Sequence, residues 1–248
     1  MYPHIYIVLP TYIVLAFAGG LAATAYTYWQ IERFQVKFVD FIKLLLICAV
    51  CGFIGGKILF IVTQIPQLLL HFSIQNLLTL MINSGIVFYG GLFGVLFGVR
   101  LFAKIRHYDT TNIFRMVVPA MPLFHGFGRI GCLMAGCCYG KELSSPIILM
   151  ESVQLNRVPT QLFEVVFEFM LFVVLLIVRR KNSNRNLLRI YLLAYAFFRF
   201  INEFFRGDEI RGIFFGLSTA QWISIAIVVY YAVMQIKTVY ATSKSIKK

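Results

Sequence analysis

Acidic side chains are the scarcest charged class in this sequence, with 10 Asp and Glu against 23 Lys and Arg in 248 residues, and all charged residues together make up only 13%. So little charge excludes an ordinary soluble domain, whose surface needs more of it. It also excludes a long solvated tract; no low-complexity segment, disordered linker or internal repeat divides the chain, which reads as a single membrane domain spanning 1–248. Proline occurs seven times, leaving room for long uninterrupted helices. The formal net charge of +13 is spread over short loops and forms no basic face with interleaved aromatics, so nucleic acid is excluded as a partner. No basic n-region precedes the first apolar run and no polar domain follows it, which marks that run as a span rather than a signal peptide.

What is present is apolar: 60% of residues are hydrophobic and the mean hydropathy is +0.80. Ile5 to Ile31 and Ile213 to Ile236 contain no Asp, Glu, Lys or Arg, and each exceeds the roughly 20 residues that cross a bilayer as a helix. Five further spans are placed at Leu44 to Gln64, Ser84 to Val99, Met116 to Leu133, Leu162 to Val178 and Ile190 to Phe205. The sequence thus predicts an all-α, seven-helix integral membrane protein. Between the second and third spans, Gln64-Ile65-Pro66-Gln67 and Gln75-Asn76 are read as a polar interruption, with Leu68 to Asn83 lying along the lipid surface. Basic residues favour cytoplasmic loops, and they cluster at Arg33, Lys37 and Lys43, at Arg100 to Arg115, at Arg179 to Arg189, and in the tail from Lys237. This pattern predicts the N-terminus outside, the C-terminus inside, and contact of the basic loops with anionic headgroups.

A few ionisable residues fall at membrane depth, where an unpaired charge is costly and such groups face a bundle interior or a wet cavity. Arg199 and Glu203 are four apart on one helix face, with Arg206 three further along. Arg129 lies in the run His125-Gly126-Phe127-Gly128-Arg129-Ile130-Gly131-Cys132-Leu133-Met134-Ala135-Gly136-Cys137-Cys138-Tyr139-Gly140, behind Pro119 and Pro122. Broken backbone at this depth survives only where protein or a cavity satisfies it, so glycines around an arginine predict an anion site at a helix break. His125, one turn before Arg129, is a candidate proton carrier or neutral hydrogen-bonding partner. Glu164 and Glu168 fall one turn apart, Glu168 being read as a partner for an internal arginine.

The glycine-rich run resembles the signature of the prolipoprotein diacylglyceryl transferases, and other motifs follow in the family's order. Pro10-Thr11-Tyr12 resembles the opening of its first helix, Gly55-Gly56-Lys57 a glycine-basic motif, and Tyr89-Gly90-Gly91 its histidine-glycine-glycine motif. Pro159-Thr160-Gln161-Leu162-Phe163-Glu164 and Arg199 to Arg206 resemble its two late motifs. The resemblance implies transfer of a diacylglyceryl group from phosphatidylglycerol, or a related anionic phospholipid, to the lipobox cysteine of a prolipoprotein acceptor peptide. It implies no cofactor, and a bacterial cytoplasmic membrane location with the site open to the outer leaflet. It assigns catalytic roles to Arg129, Arg199 and Glu203, and substrate contacts to Tyr12, Tyr89, Gly90, Gly91, Gly131, Gly140, Gln161, Glu164 and Arg206; His125, Cys132 and Cys137 join the catalytic candidates on their own chemistry.

The chain departs from that pattern where the family carries asparagine, a second asparagine, glutamate and histidine; it has Cys132, Ala135, Cys137 and Tyr89 there. Cys48 and Cys51 are flanked by apolar residues and read as packing. Cys132, Cys137 and Cys138 sit together near the outer face, and their residues leave several readings open: packing or a disulfide, a nucleophilic or redox thiol made acidic by Arg129, or a four-ligand metal site with His125. A membrane thiol or redox protein, or a catalytically silent lipid-binding or scaffold relative, is therefore the alternative to a transferase.

Overall fold

The computed structural model describes residues 4–5, 9–70, 73, 87–150, 153–182, 185–207 and 212–246. Its helices are α1 (Thr11–Trp29), α2 (Phe38–Leu70), α3 (Phe88–Arg106), α4 (Thr110–Val117), α5 (Ala120–Ala135), α6 (Thr160–Lys181), α7 (Leu187–Asn202), which runs into a 3-10 turn at Glu203–Phe205, and α8 (Thr219–Ile246). Three short antiparallel hairpins accompany them: β1 (His4–Ile5) with β2 (Leu9–Pro10), β3 (Glu142–Met150) with β4 (Val153–Arg157), and β5 (Ile213–Phe214) with β6 (Leu217–Ser218). Among the described residues, five segments are long and apolar enough to cross a membrane: Phe38–Gln64, Phe88–Arg106, Thr110–Ala135, Thr160–Lys181 and Thr219–Tyr240. Phe17, Leu21, Phe97, Phe197 and Ile236 stand exposed on the helices, as side chains do when hydrocarbon is their solvent. The protein is a multi-pass, essentially all-α membrane protein.

The chain divides into two compact units, one made of Thr24–Val117 and one of Met1–Ala23 with Val118–Lys248. In the first, α2 and α3 pack through glycines. A Cβ at Gly90 would collide with the Gly55 carbonyl, and one at Gly94 with the Cys51 carbonyl. Lipid offers no hydrophobic drive for helices to associate, so close backbone approach of this kind supplies the attraction. Gly94→Val is therefore expected to destabilise this pair by about 1–3 kcal/mol, as overpacking does. Gly91→Ala meets only the Gly52 carbonyl at 3.6 Å and should leave the melting temperature in detergent unchanged. Equal melting of the two variants would refute the assignment.

Five of the seven predicted spans coincide with the long apolar segments, with shifted ends, while the first and sixth fall on the shorter helices α1 and α7. Helix α2 continues past Gln64 and Pro66 to Leu70, so the polar interruption does not end it; membrane helices tolerate a proline because neighbouring groups satisfy the freed carbonyl. Most of the proposed surface segment, including Gln75 and Asn76, lies outside the described residues. Helix α3 extends beyond Val99 to Arg106 because Arg106 Nε donates to Asp40 Oδ1 at 2.7 Å, while Tyr108 Oη donates to Asp40 Oδ2 at 2.9 Å. The last span starts at Thr219 rather than Ile213, since Phe215 (φ 49°) and Gly216 (φ 77°) form a tight hairpin turn ahead of it.

Helix α4 ends the first unit at Val117, and in the second unit α5 starts directly after Pro119. The glycines behave differently from expectation. Gly126, Gly128 and Gly131 lie inside a continuous α5, and the helix ends only at Gly136, in the left-handed region at φ 74°. Gly131 instead admits Tyr12, since a Cβ there would stand 3.2 Å from the Tyr12 ring. Helix α6 stacks on α7 through Phe167 and Phe198, whose ring centroids are 4.0 Å apart.

Candidate functional site

Three helical segments of the second unit each present two ionisable residues one turn apart: His125 and Arg129 on α5, Glu164 and Glu168 on α6, Arg199 and Glu203 at the end of α7. All six are buried, and they meet. Glu168 Oε1 lies 2.7 Å from His125 Nδ1, and Arg129 Nε donates to His125 Nε2 at 3.1 Å. The same Arg129 Nε stands 3.0 Å from Glu164 Oε2. Glu164 Oε1 accepts from Arg199 Nη1 at 2.9 Å, and Arg199 Nη2 lies 2.8 Å from Glu203 Oε2.

An arginine can only donate, so His125 Nε2 carries no proton in this arrangement and its Nδ1–H is the donor to Glu168. The imidazole is thereby fixed as a neutral tautomer that orients Arg129, the second of the two roles the sequence left open. Its ring also packs edge-on against Tyr195 at 5.5 Å between centroids. With both nitrogens engaged, His125 is not available as a metal ligand, which removes the four-ligand site. Desolvating these charges is costly, and the chain is tolerable because each arginine faces at least one carboxylate. Glu164 is the pivot, touching both arginines. Both contacts of Arg129 are made by Nε, and neither engages its terminal Nη pair.

Beyond α5 the signature loop is held by backbone. Cys137 N donates to Cys132 O, Gln161 Nε2 donates to Cys137 O at 2.8 Å, and Thr160 Oγ1 donates to Cys138 O at 3.2 Å. Lys141 N donates to Phe205 O and Gly207 N to Tyr139 O, pairing Gly140 with Arg206. A Cβ at Gly140 would strike the Val158 carbonyl, so glycine is required where these three segments meet. Next comes the β3–β4 hairpin, where Arg157 pairs with Glu142 and lies 4.3 Å over the Tyr139 ring. The signal for this hairpin in the sequence is the run Ile147-Ile148-Leu149-Met150 followed by Val153-Gln154-Leu155.

The predicted site residues therefore sort into groups. Arg129, Arg199, Glu203, Glu164 and His125 form one buried network, while Arg206 is buried at the Gly140 junction. Tyr12 lies at the start of α1 against Gly131, nearly half exposed. Gln161 and Gly140 shape the loop rather than line it. Tyr89, Gly90 and Gly91 belong to the other unit, where Tyr89 is buried and stacks on Phe93 at 6.1 Å. Sequence reasoning missed Thr160 as a loop anchor and gave Glu168 the wrong partner, since it holds His125. Cys132, Cys137 and Cys138 are free thiols whose sulfurs lie within 4.8 Å of one another. Hydrogen bonds from the Cys132 and Cys137 thiols hold the Cys138 thiol below the usual thiol range, with Arg129 and Arg206 adding to the shift.

A family model described as prolipoprotein diacylglyceryl transferase matches residues 3–237. The chain belongs to that family. A phosphatidylglycerol–prolipoprotein diacylglyceryl transferase of Clostridium tetani is 36% identical over 183 residues, 70% of this chain and 71% of that protein. The transferase 2 of Clostridium perfringens is 36% identical over 191 residues, 74% and 73% of the two chains. A transferase of Francisella tularensis subsp. novicida is 34% identical over 199 residues, 77% and 74%. Membership in the transferase family makes Cys132, Ala135, Cys137 and Tyr89 substitutions within a family member, not signs of an unrelated membrane thiol protein.

Proposed function

We propose that the protein transfers a diacylglyceryl group from phosphatidylglycerol to the cysteine thiol of a prolipoprotein, forming a thioether and releasing glycerol phosphate. The observation that carries this reading is the buried chain in which Glu164 and His125 grip Arg129 by Nε while engaging neither of its terminal nitrogens. A guanidinium so held offers a planar pair of donors to a phosphodiester, in a low-dielectric site where such contacts are strong and need no reorganisation. Arg199, fixed between Glu164 and Glu203, supplies the second cation, and Arg206 guides the anionic headgroup. Tyr12, beside Gly131, orients that headgroup through its phenol. The deciding experiment incubates purified protein with phosphatidylglycerol and a lipobox peptide; a thioether-linked diacylglyceryl peptide is expected. Lipid binding without product would favour the silent lipid-binding relative.

The topology proposed with this function has seven spans in a bacterial cytoplasmic membrane, the N-terminus outside, the C-terminus inside, and the site facing the outer leaflet. Helices α1 and α7 complete the count beside the five long apolar segments. The basic loops support the orientation. In a background lacking native cysteines, Ser144→Cys in the hairpin should react with an impermeant thiol reagent on intact cells, and Arg185→Cys should not; both positions are exposed. Labelling with the opposite sidedness would overturn the orientation and the outer-leaflet entrance together.

A further inference from the structure

The three thiols at the end of α5 take no part in the arginine network, and they converge. Cys132 is buried on the helix, Cys137 is exposed just beyond it, and Cys138 lies between the two in accessibility. Their sulfurs approach because Gly136 turns the chain at φ 74° and Cys138 adopts φ 57°, a conformation a side-chain-bearing residue enters only when its surroundings hold it there. Those surroundings are visible: Gln161 and Thr160 hold the carbonyls of Cys137 and Cys138. A disulfide needs two sulfurs and leaves the third idle, whereas this loop gathers all three. Sulfurs bound to one tetrahedral zinc at ~2.3 Å stand roughly 3.8 Å apart, so the observed limit of 4.8 Å is closed by small side-chain rotations.

We propose that Cys132, Cys137 and Cys138 form a three-thiolate zinc site whose open fourth position takes the sulfur of the acceptor cysteine. This rests on the transfer reaction proposed above. Soft thiolate ligands select thiophilic cations, and three protein ligands with one open position are the pattern of reactive rather than structural zinc. Zinc uptake releases three thiol protons to solvent and leaves one net negative charge on the site. Arg129, one turn before Cys132, and Arg206, paired through Gly140, are the neighbouring cations that offset it. An acceptor thiol that enters the fourth position loses its proton to solvent, since coordination deprotonates a thiol outright. The sulfur then attacks the glyceryl carbon; the carbon–sulfur bond forms, the carbon–oxygen bond to phosphate breaks, and glycerol phosphate leaves with the electron pair. The family's asparagine and glutamate at positions 132 and 137 are thus exchanged for metal ligands that prepare the nucleophile.

The test begins with chain purified without chelators and analysed for metals by mass spectrometry. One zinc per chain is expected, retained by Cys48→Ser and Cys51→Ser and lost from Cys132→Ser, Cys137→Ser and Cys138→Ser. With cobalt in place of zinc, thiolate-to-metal absorption should appear, and the visible bands should shift on adding a lipobox peptide but not its serine analogue. Absence of zinc, copper in its place, a mass lower by two hydrogens from a disulfide among these cysteines, or bands indifferent to the peptide thiol would each overturn the site. Efficient transfer by metal-free chain refutes the zinc site and leaves the transferase reading standing. Zinc-loaded chain that yields no thioether refutes the transferase reading instead, and the acceptor role of the fourth position with it.

Discussion

Arg129→Ala is expected to lower diacylglyceryl transfer by 10²–10³-fold or more, the scale on which loss of one preorganised charge-stabilising donor acts (~3–4 kcal/mol), while the protein still accumulates in the membrane. The fold tolerates the change because Glu164 keeps its contact with Arg199 after Arg129 is removed. Arg129→Lys should recover only part of the activity, since lysine lacks the two-pronged planar donor. Arg199→Ala is expected to match the alanine defect, as it removes the second cation. His125→Ala should be milder, about tenfold, because it removes one hydrogen bond to a charged group and Glu164 still grips Arg129 Nε. Initial rates with purified variants against phosphatidylglycerol and a lipobox peptide decide the order. An Arg129→Ala variant as active as wild type would remove that residue from the site.

Glu164→Gln is expected to be the most destabilising single change in the network. The carboxylate joins Arg129 at 3.0 Å and Arg199 at 2.9 Å, so its neutralisation leaves two buried guanidinium groups sharing only Glu203 and His125. Breaking a buried pair in this way costs about 3–5 kcal/mol, and the variant should melt well below wild type in detergent. Glu203→Gln should cost less, because Arg199 retains Glu164. If the two variants melt alike, Glu164 is not the pivot.

Much of this was legible before any coordinates. The uncharged run near the C-terminal end announces a membrane helix because hydrocarbon forbids exposed charge, and the i, i+4 spacing of Arg199 and Glu203 is local to one helix. The pairing of His125 with Glu168 was not legible, since it joins residues on two helices whose register along each other is set by packing at contacts such as Phe127 on Phe169. The glycines misled for a related reason. A glycine excess reads equally as broken backbone or as close approach, and Gly131 under Tyr12 and Gly94 under Cys51 are both the latter. The sequence ended the second span at Gln64, reading the polar residues and Pro66 as a stop, whereas membrane helices continue through a proline and α2 runs on to Leu70. The three-sulfur cluster was half visible: the spacing put the thiols in one loop, but only the left-handed turns at Gly136 and Cys138 bring them to a common point.

The backbone stitch between Tyr139–Lys141 and Phe205–Gly207 has an evolutionary consequence. Its hydrogen bonds run between amide and carbonyl groups, so beyond the glycines at 140 and 207, where a Cβ would strike backbone, they do not depend on which side chains stand nearby. The loop that follows Arg129 and the turn that follows Arg199 are basted together along that seam, whose bonds involve neither the side chain at 132 nor the one at 137. A lineage can therefore change the side chains at 132 and 137 without shifting either arginine, and so alter the chemistry beside the arginine network while inheriting that network whole.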